Sequence, residues 1–323
     1  MKAIVYREYG SPAVLRLADV EEPAVNDDEV LVQVLGAAIN PGDWYLLGGT
    51  PYLLRLGTGL SKPKNSVLGL AIAGRVEAVG STVARFRPGD EVFAGISNGG
   101  FAEYASVPER ALALKPSNLT FEQAAAVPVV GVTALQGLRD VGRVAPGQKV
   151  LINGASGGVG TFAVQIARSF GAEVSGVCST ANVDMVRSIG ANHVVDYTRE
   201  DFSGDGRQYD LIFDNVGNRS LSDTRRALVA GGTFIPNSNS GGRWLGGFLP
   251  RALQALVVSP FVAQRLRPFS ATEKGEDLAI LTELIETGKV TPVIDRTYPL
   301  QETAEALGYY GEGHTRGKVV ITV

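Results

Sequence analysis

Cysteine and histidine are scarce in this chain of 323 residues, and the scarcity is informative. A single cysteine, Cys178, excludes an intramolecular disulfide and suits a reducing compartment. With only His193 and His314 beside it, few soft or imidazole ligands remain for a transition metal. Positive charge is not in excess either. Thirty Lys and Arg stand against 33 Asp and Glu, for a net charge of −3, with no basic stripe, which argues against a nucleic-acid partner. The pair Arg225-Arg226 reads as a solvated helix face. Long apolar runs are missing: residues 245–266 are interrupted by Pro250, Arg251, Pro260 and Arg265, so they do not read as a membrane span. The N-terminus alternates like a strand, with no sign of a secretory leader. The expectation is a soluble cytoplasmic protein with no membrane partner.

What is present describes a globular chain of two ordinary domains, 45% hydrophobic and 20% charged. Its most specific stretch is Gln148-Lys-Val-Leu-Ile-Asn-Gly-Ala-Ser-Gly-Gly-Val-Gly160. Residues 149–153 read as a buried strand, and residues 161–170 as a helix with Phe162, Ile166 and Phe170 on one face. Between them, Ala155, Gly157 and Gly160 hold the spacing of a dinucleotide fingerprint, alanine replacing the first glycine. Small residues permit the tight turn through Ala155 and Ser156. Gly157 and Gly158 let backbone approach a pyrophosphate, and Gly160 lets the helix sit close on the strand. Val159 leads into the helix start, which offers free N–H groups and a positive dipole end to the phosphates.

Residues 1–119 are rich in short strands and turns, including Asn40-Pro41-Gly42-Asp43 and Arg87-Pro88-Gly89-Asp90. They predict a barrel-like antiparallel domain. From Thr120 the pattern changes. A capping box at Thr120-Phe-Glu-Gln123 opens one long helix running to about Arg139. Strands at 149–153, 173–178, 193–195, 211–214 and 232–235 then alternate with helices at 161–170, 183–189 and 221–229, which means a doubly wound parallel sheet. Helices at 277–286 and 302–307 and a strand at 318–322 close the chain. The expected fold is α/β. A β-rich domain spans 1–119 and 267–323, and a dinucleotide-binding domain spans 120–266.

Taken together, these pieces resemble the medium-chain dehydrogenase/reductase superfamily, in its zinc-free quinone-reductase and enoyl-reductase branch. The resemblance rests on Ala37-Ala-Ile-Asn-Pro-Gly-Asp43, Arg87-Pro-Gly-Asp-Glu-Val-Phe93, Ala124-Ala-Ala-Val-Pro-Val-Val-Gly-Val-Thr-Ala134 and the fingerprint. Gly190-Ala-Asn-His-Val-Val-Asp-Tyr197, the stretch 210–217 and Gly317-Lys-Val-Val-Ile321 complete it. It implies a GroES-like catalytic domain, a Rossmann domain and a nicotinamide cofactor in the cleft between them, with a homodimer as the common assembly. Zinc-dependent relatives build their metal site in the first domain. Here Gly69-Leu-Ala-Ile-Ala-Gly74 stands where they carry a His-Glu pair, so no metal is expected.

An NAD site usually ends its second strand with a carboxylate on the ribose 2′-hydroxyl. This strand ends Cys178-Ser-Thr-Ala-Asn182 with no acid, and hydroxyls and an amide there favour NADPH, with NADH the alternative. The cation that similar enzymes place near Ala181 is missing, so Arg199 or Arg187 is the substitute. By resemblance, Asn40 and Thr133 approach the nicotinamide ribose, Tyr197 the adenosine, and Asn215 and Val216 the dinucleotide. Ser238 joins this cofactor set, and Arg316 and Lys318 reach toward the pyrophosphate. Tyr197 as a packed phenol and Lys318 as an exposed charge are the competing readings. Tyr52, a dozen residues after Asn40, matches the family's proton-donating tyrosine, or else is a packed aromatic. Tyr45, which follows the same turn, joins Tyr52 among the expected substrate residues, and Asn40 is counted as catalytic with Tyr52. Asp43 reads as a turn residue rather than a base. Ala71 replaces an acid that relatives often carry. The segment 238–266, with Gly241-Gly-Arg-Trp244 and Phe248, reads as interface, with Trp244 touching a hydrophobic substrate. Non-catalytic cofactor binding and carbonyl or alcohol chemistry remain the alternative functions.

Overall fold

Valine and isoleucine at every second position make strands wherever one face can be buried, and the chain opens with such stretches. The computed structural model describes residues 1–238 and 244–323 and, at Phe248, the backbone alone. In chain order the strands are β1 (Lys2–Val5), β2 (Arg16–Asp19), β3 (Glu29–Ala38), β4 (Ala71–Val79), β5 (Glu91–Gly95), β6 (Tyr104–Pro108), β7 (Leu112–Leu114) and β8 (Lys149–Asn153). They continue as β9 (Glu173–Cys178), β10 (His193–Asp196), β11 (Tyr209–Asp214), β12 (Leu228–Pro236), β13 (Arg265–Leu266), β14 (Ile294–Pro299) and β15 (Lys318–Thr322). The helices are α1 (Pro41–Gly48), α2 (Arg55–Thr58), α3 (Phe121–Ala125), α4 (Pro128–Gln136), α5 (Gly158–Ser169), α6 (Val183–Ser188), α7 (Leu221–Arg226), α8 (Phe248–Val258), α9 (Gly275–Glu286) and α10 (Thr303–Gly311).

Two compact units result. One holds Met1–Val132, Thr272–Gly288 and Pro292–Val323; the other holds Thr133–Ala271 and Lys289–Thr291. The first unit carries a seven-stranded sheet in the order β14-β15-β3-β4-β5-β7, with β6 also pairing to β3. All its pairings are antiparallel except β14 with β15. Val30, Val32 and Val34 of β3 point into its core with Ile72, Val92, Phe101 and Val107. Gly36 lies under the start of α3, where a Cβ would come within 2.9 Å of the Phe121 carbonyl oxygen.

The second unit is a six-stranded parallel sheet, β10-β9-β8-β11-β12-β13. Val150, Leu151 and Ile152 of β8 are wholly buried, as a strand covered on both faces must be. Strand order reverses between β8 and β11, and that switch point is where doubly wound sheets bind their ligands.

Three element expectations are corrected. The helix from the Thr120 box breaks at Pro128, which has no N–H to continue the ladder, and a π-helical turn over Gly137–Val141 follows α4. The box itself forms, Thr120 Oγ1 accepting from the Gln123 N–H at 3.3 Å and Gln123 Oε1 from the Thr120 N–H at 3.0 Å. The helix expected at 221–229 stops at Arg226, because Leu228 is already paired with Tyr209 in β12. The one expected at 302–307 runs on to Gly311.

Ala71 pairs with Gly95 across β4 and β5, so their side-chain positions share one face. A Cβ on Gly95 would lie 2.3 Å from Glu273 Oε2, so a carboxyl fills that place beside Ala71. Burial first, then the nearby charge of Asp277, push this carboxyl up to about 7 from 4.5. A folded pKa above the unfolded one means the native state holds the proton more tightly. The resulting stability is complete below pH 4.5 and is lost as pH rises toward about 7. In parallel pH titrations of Tm, wild type therefore declines relative to Glu273→Gln across this window; parallel curves would refute the assignment.

Candidate active site

In the second unit the fingerprint makes the expected cradle. Gly157 caps α5, with extended backbone, and Gly158 and Val159 form the helix's first, partly exposed turn. A Cβ at Gly157 would meet nothing nearer than the Gly154 oxygen at 3.6 Å, so the outer side of the turn is open. A Cβ at Gly160 would lie 2.0 Å from that oxygen and 2.8 Å from Ala155 Cα, so here helix and strand touch. Ala155 is wholly buried, its N–H bonded to the Val177 oxygen at 2.9 Å.

At the end of β9, the Asn182 amide donates to Ser156 Oγ at 3.2 Å and to Ser179 Oγ at 3.3 Å. Its Oδ1 is buried without a partner. An unpartnered acceptor beside two hydroxyls, under an open glycine turn, fits the ribose end of a dinucleotide. Cys178 is buried, and burial with the nearby Asp196 pushes its thiol up to about 11, so it stays a thiol. Tyr197 follows β10 half exposed, its N–H on the Cys178 oxygen, so the packed-phenol reading does not hold. Asp196 brings a carboxylate nearby that the linear pattern does not reveal. It accepts from Thr180 Oγ1 at 2.6 Å and from Thr198 Oγ1 at 2.8 Å, and it pairs with the exposed Arg199 at 3.6 Å. Those hydrogen bonds, Thr180's first, hold the carboxyl below the usual range.

Across the switch point, Asn153 Nδ2 at the end of β8 donates to Asp214 Oδ1 at the end of β11, at 2.8 Å. The same oxygen accepts from the N–H groups of Val216 at 3.1 Å and Gly217 at 2.8 Å. Asn215 Nδ2 donates to the Asn153 oxygen, and Ser238 Oγ to the Val216 oxygen. Asn215, Val216 and Ser238 thus stand together at the carboxyl ends of β8, β11 and β12. Thr133 lies on α4, partly exposed. A cavity of about 800 Å³ lined by Lys149, Glu173, His193, Arg207 and Tyr209 sits at the opposite, amino end of these strands. A doubly wound sheet does not bind its cofactor there.

In the first unit, Asn40 and Lys318 are buried at 1% and 3% exposure and bonded to each other. Lys318 Nζ donates to Asn40 Oδ1 at 2.7 Å and to the Ile39 oxygen, while Asn40 Nδ2 donates to the Ala38 oxygen at 2.8 Å. Asp43, on the first turn of α1, accepts from the N–H of Asn40 at 2.8 Å and of Gly69 at 2.9 Å. It is a backbone-bonding residue, as its turn suggests. Burial raises the Asp43 carboxyl to about 7 against those two N–H groups. Burial likewise lowers the Lys318 ammonium to about 7, while Asp43's charge holds it up. Lys318 is therefore neither an exposed charge nor a reach toward phosphate, because its ammonium is committed inside this unit. Arg316 is exposed, its N–H on Asp295 Oδ2 at 3.0 Å.

Tyr45 lies on α1, half-buried and raised by that burial. Tyr52 opens a 3-10 turn (Tyr52–Leu54), and the Arg55 guanidinium stands over its ring at 4.9 Å and over Tyr9 at 4.4 Å. Trp244 is 74% exposed. The expectations for Gly241, Gly242, Arg243 and the Phe248 side chain lie outside the described residues. Asp214, Asn153 and Lys318's partners are what sequence reasoning missed or misplaced. Asp214 falls inside the 210–217 match, which was the available signal.

A GroES-like unit and a Rossmann unit with a glycine cradle at its switch point define a dinucleotide-dependent oxidoreductase. A model described as the alcohol dehydrogenase GroES-like domain matches residues 26–118, and one described as zinc-binding dehydrogenase matches residues 189–321. The chain is 34% identical over 337 positions to a 2-methylene-furan-3-one reductase of Solanum lycopersicum, covering 99% of this chain and 79% of that protein. It is 34% identical, with the same coverage, to the chloroplastic NADPH-dependent alkenal/one oxidoreductase of Arabidopsis thaliana. The solved quinone oxidoreductase of Coxiella burnetii superposes with a TM-score of 0.87 at 28% identity, over 100% of this chain and 99% of that one. The chain belongs to the medium-chain dehydrogenase/reductase superfamily, in its quinone reductase branch. No helix among the described residues is long and apolar enough to cross a membrane.

Proposed function

We propose that this protein uses NADPH to reduce the activated carbon–carbon double bond of an enone or enal, or a quinone, without a metal. One observation carries the reading: a turn of small residues, open on its outer side, at the sheet's switch point. Bound there, the nicotinamide cofactor would supply the hydride. Gly158 and Val159 present N–H groups to the pyrophosphate over the open backbone of Gly157, Ser156, Ser179 and Asn182 hold the adenosine ribose, and Asn215 and Val216 flank the dinucleotide. Hydride addition to an enone develops charge on a distant oxygen, which a donor can stabilise without a Lewis acid. No cysteine or histidine lies within residues 1–119, where zinc-dependent relatives build the metal site for alcohol oxidation.

Tyr52 serves as proton donor, held by Arg55, with Tyr45 on the preceding helix α1 facing an apolar substrate. NADPH oxidation against linear enals, enones and quinones, with NADP+ reduction against alcohols, tests this reading. Turnover of the first three classes, unchanged by zinc or chelator, supports it, with Tyr52→Phe lowering kcat for enals about 10²-fold. Alcohol oxidation dependent on added zinc refutes it, and full kcat in Tyr52→Phe removes the tyrosine's role alone.

For the 2′-phosphate we assign Arg199, since Asp196 is already bonded to Thr180 and Thr198. Arg199→Ala should raise KM for NADPH about tenfold, roughly 1.4 kcal/mol, and leave KM for NADH unchanged. Equal effects on both cofactors would count against the assignment.

The assembly is proposed to be a homodimer that covers the outer face of α8, where Leu249, Leu253, Leu256 and Val257 stand exposed at helical spacing beside the edge strand β13. A monomer mass by light scattering would exclude it. A lone, buried, unreactive Cys178 suits a cytoplasmic location.

A further inference from the structure

The turn that joins β11 to α7 is bridged by a side chain from helix α8. Arg251 lies on α8, one helical turn before Ala255, which is buried against the core of the second unit. That inward position carries its guanidinium to the carboxyl end of β11. There Nη1 donates to Asp214 Oδ2 at 3.2 Å, and Nη2 donates to the Gly217 oxygen and, at 3.4 Å, to the Arg219 oxygen. The ion pair is largely shielded, at 24% and 3% side-chain exposure. Gly217 has φ +76° and passes so close beneath the guanidinium that a Cβ would lie 2.4 Å from Nη1. Asp214 is the residue whose other oxygen binds Asn153 across the switch point and the N–H groups of Val216 and Gly217.

We infer that Arg251 is a positioning residue for the cofactor: it fixes the turn Asn215–Gly217 in the shape that receives the dinucleotide, while touching neither cofactor nor substrate. The chemistry explains why arginine stands there. Its planar fork presents several donors at fixed angles, so one group can bridge a carboxylate and two carbonyl oxygens. A lysine gathers its donors on one nitrogen at the end of a flexible stem and lacks this fixed fork. Without the cation, Asp214 keeps its backbone partners, but its second oxygen and the Gly217 and Arg219 carbonyls lose their shared donor. The turn then samples other shapes, and only the fraction in the receptive one binds. The loss falls on affinity rather than on the chemical step.

The inference rests on the proposed dinucleotide site, and the experiment separates the two. NADPH Kd is measured by fluorescence titration of the full chain for wild type, Arg251→Met and Arg251→Lys, with kcat at saturating NADPH and Tm alongside. Expected are a Kd raised about tenfold in Arg251→Met, an intermediate value in Arg251→Lys, and kcat within about twofold of wild type in both. A Kd for Arg251→Met within twofold of wild type overturns the inference and leaves the site standing. A fall in kcat with unchanged Kd also overturns it. Absence of saturable NADPH and NADH binding by wild type overturns both. Should Arg251→Met fail to fold, the Arg251→Lys titration decides alone, equal Kd to wild type being the contradicting result.

Discussion

Gly160→Ala should yield a protein that unfolds several degrees earlier and binds NADPH poorly, whereas Gly157→Ala, three residues away, should fold normally and still bind poorly. The difference follows from what each added methyl meets. At position 160 it would lie 2.0 Å from one backbone atom and 2.8 Å from another, and backbone cannot rotate aside as a side chain can. Helix α5 must move off β8. Overpacking of this kind costs about 1–3 kcal/mol, and contact with backbone puts this case at the upper end. At 2–4 °C per kcal/mol, the loss in Tm is roughly 6–12 °C. At position 157 the nearest atom is 3.6 Å away and φ is −83°, so the methyl is tolerated by the fold. It does occupy the open side of the turn, where the pyrophosphate would press on backbone. Thermal melts with cofactor titrations check both variants. A destabilised Gly157→Ala, or one that binds NADPH like wild type, would mean that the turn is not a phosphate cradle.

Lys318→Met should be the most damaging change in the first unit. The ammonium it removes is the donor for Asn40 Oδ1 and the Ile39 oxygen, and the buried positive charge nearest Asp43 in effect. Taking one partner from a buried charged group costs about 3–5 kcal/mol, because the other stays behind uncompensated. Asn40 also loses the contact that fixes its amide, and kcat should fall with stability. Removing the second charge as well relieves the penalty. The double variant Lys318→Met with Asp43→Asn should therefore be less destabilised than the sum of the two single changes. Denaturant melts of the four proteins close the cycle. Strict additivity would show that the two groups do not sense each other.

These two sites mark how far the sequence could be read. Gly160 is legible because the atoms that constrain it belong to Gly154 and Ala155, in the turn between a strand and the helix that must lie on it. Lys318 is not. Its burial arises when β15 pairs antiparallel with β3, Val320 opposite Ala38 and Ile321 opposite Ala37, which carries position 318 to the strand end beside Asn40. No local pattern encodes a contact between residues 278 positions apart. Arg251 and Glu273 escaped for the same reason. The first looked like an interruption in an apolar stretch, and the second carried no motif, yet its carboxyl fills the space that Gly95 leaves beside Ala71. The helix expected across residues 120–139 fails on a nearer cause: the capping signal at Thr120 holds, and Pro128 in the same stretch breaks the ladder.

Hydride transfer to a conjugated carbon is the central claim, and isotope tracing reads it directly. NADPH deuterated at C4 of the nicotinamide is incubated with a linear enone and the purified protein, and the product is examined by mass spectrometry and NMR. One deuterium at the carbon β to the carbonyl, in a saturated ketone, is the expected result. Deuterium on a carbinol carbon, or cofactor bound and never consumed, would contradict the account.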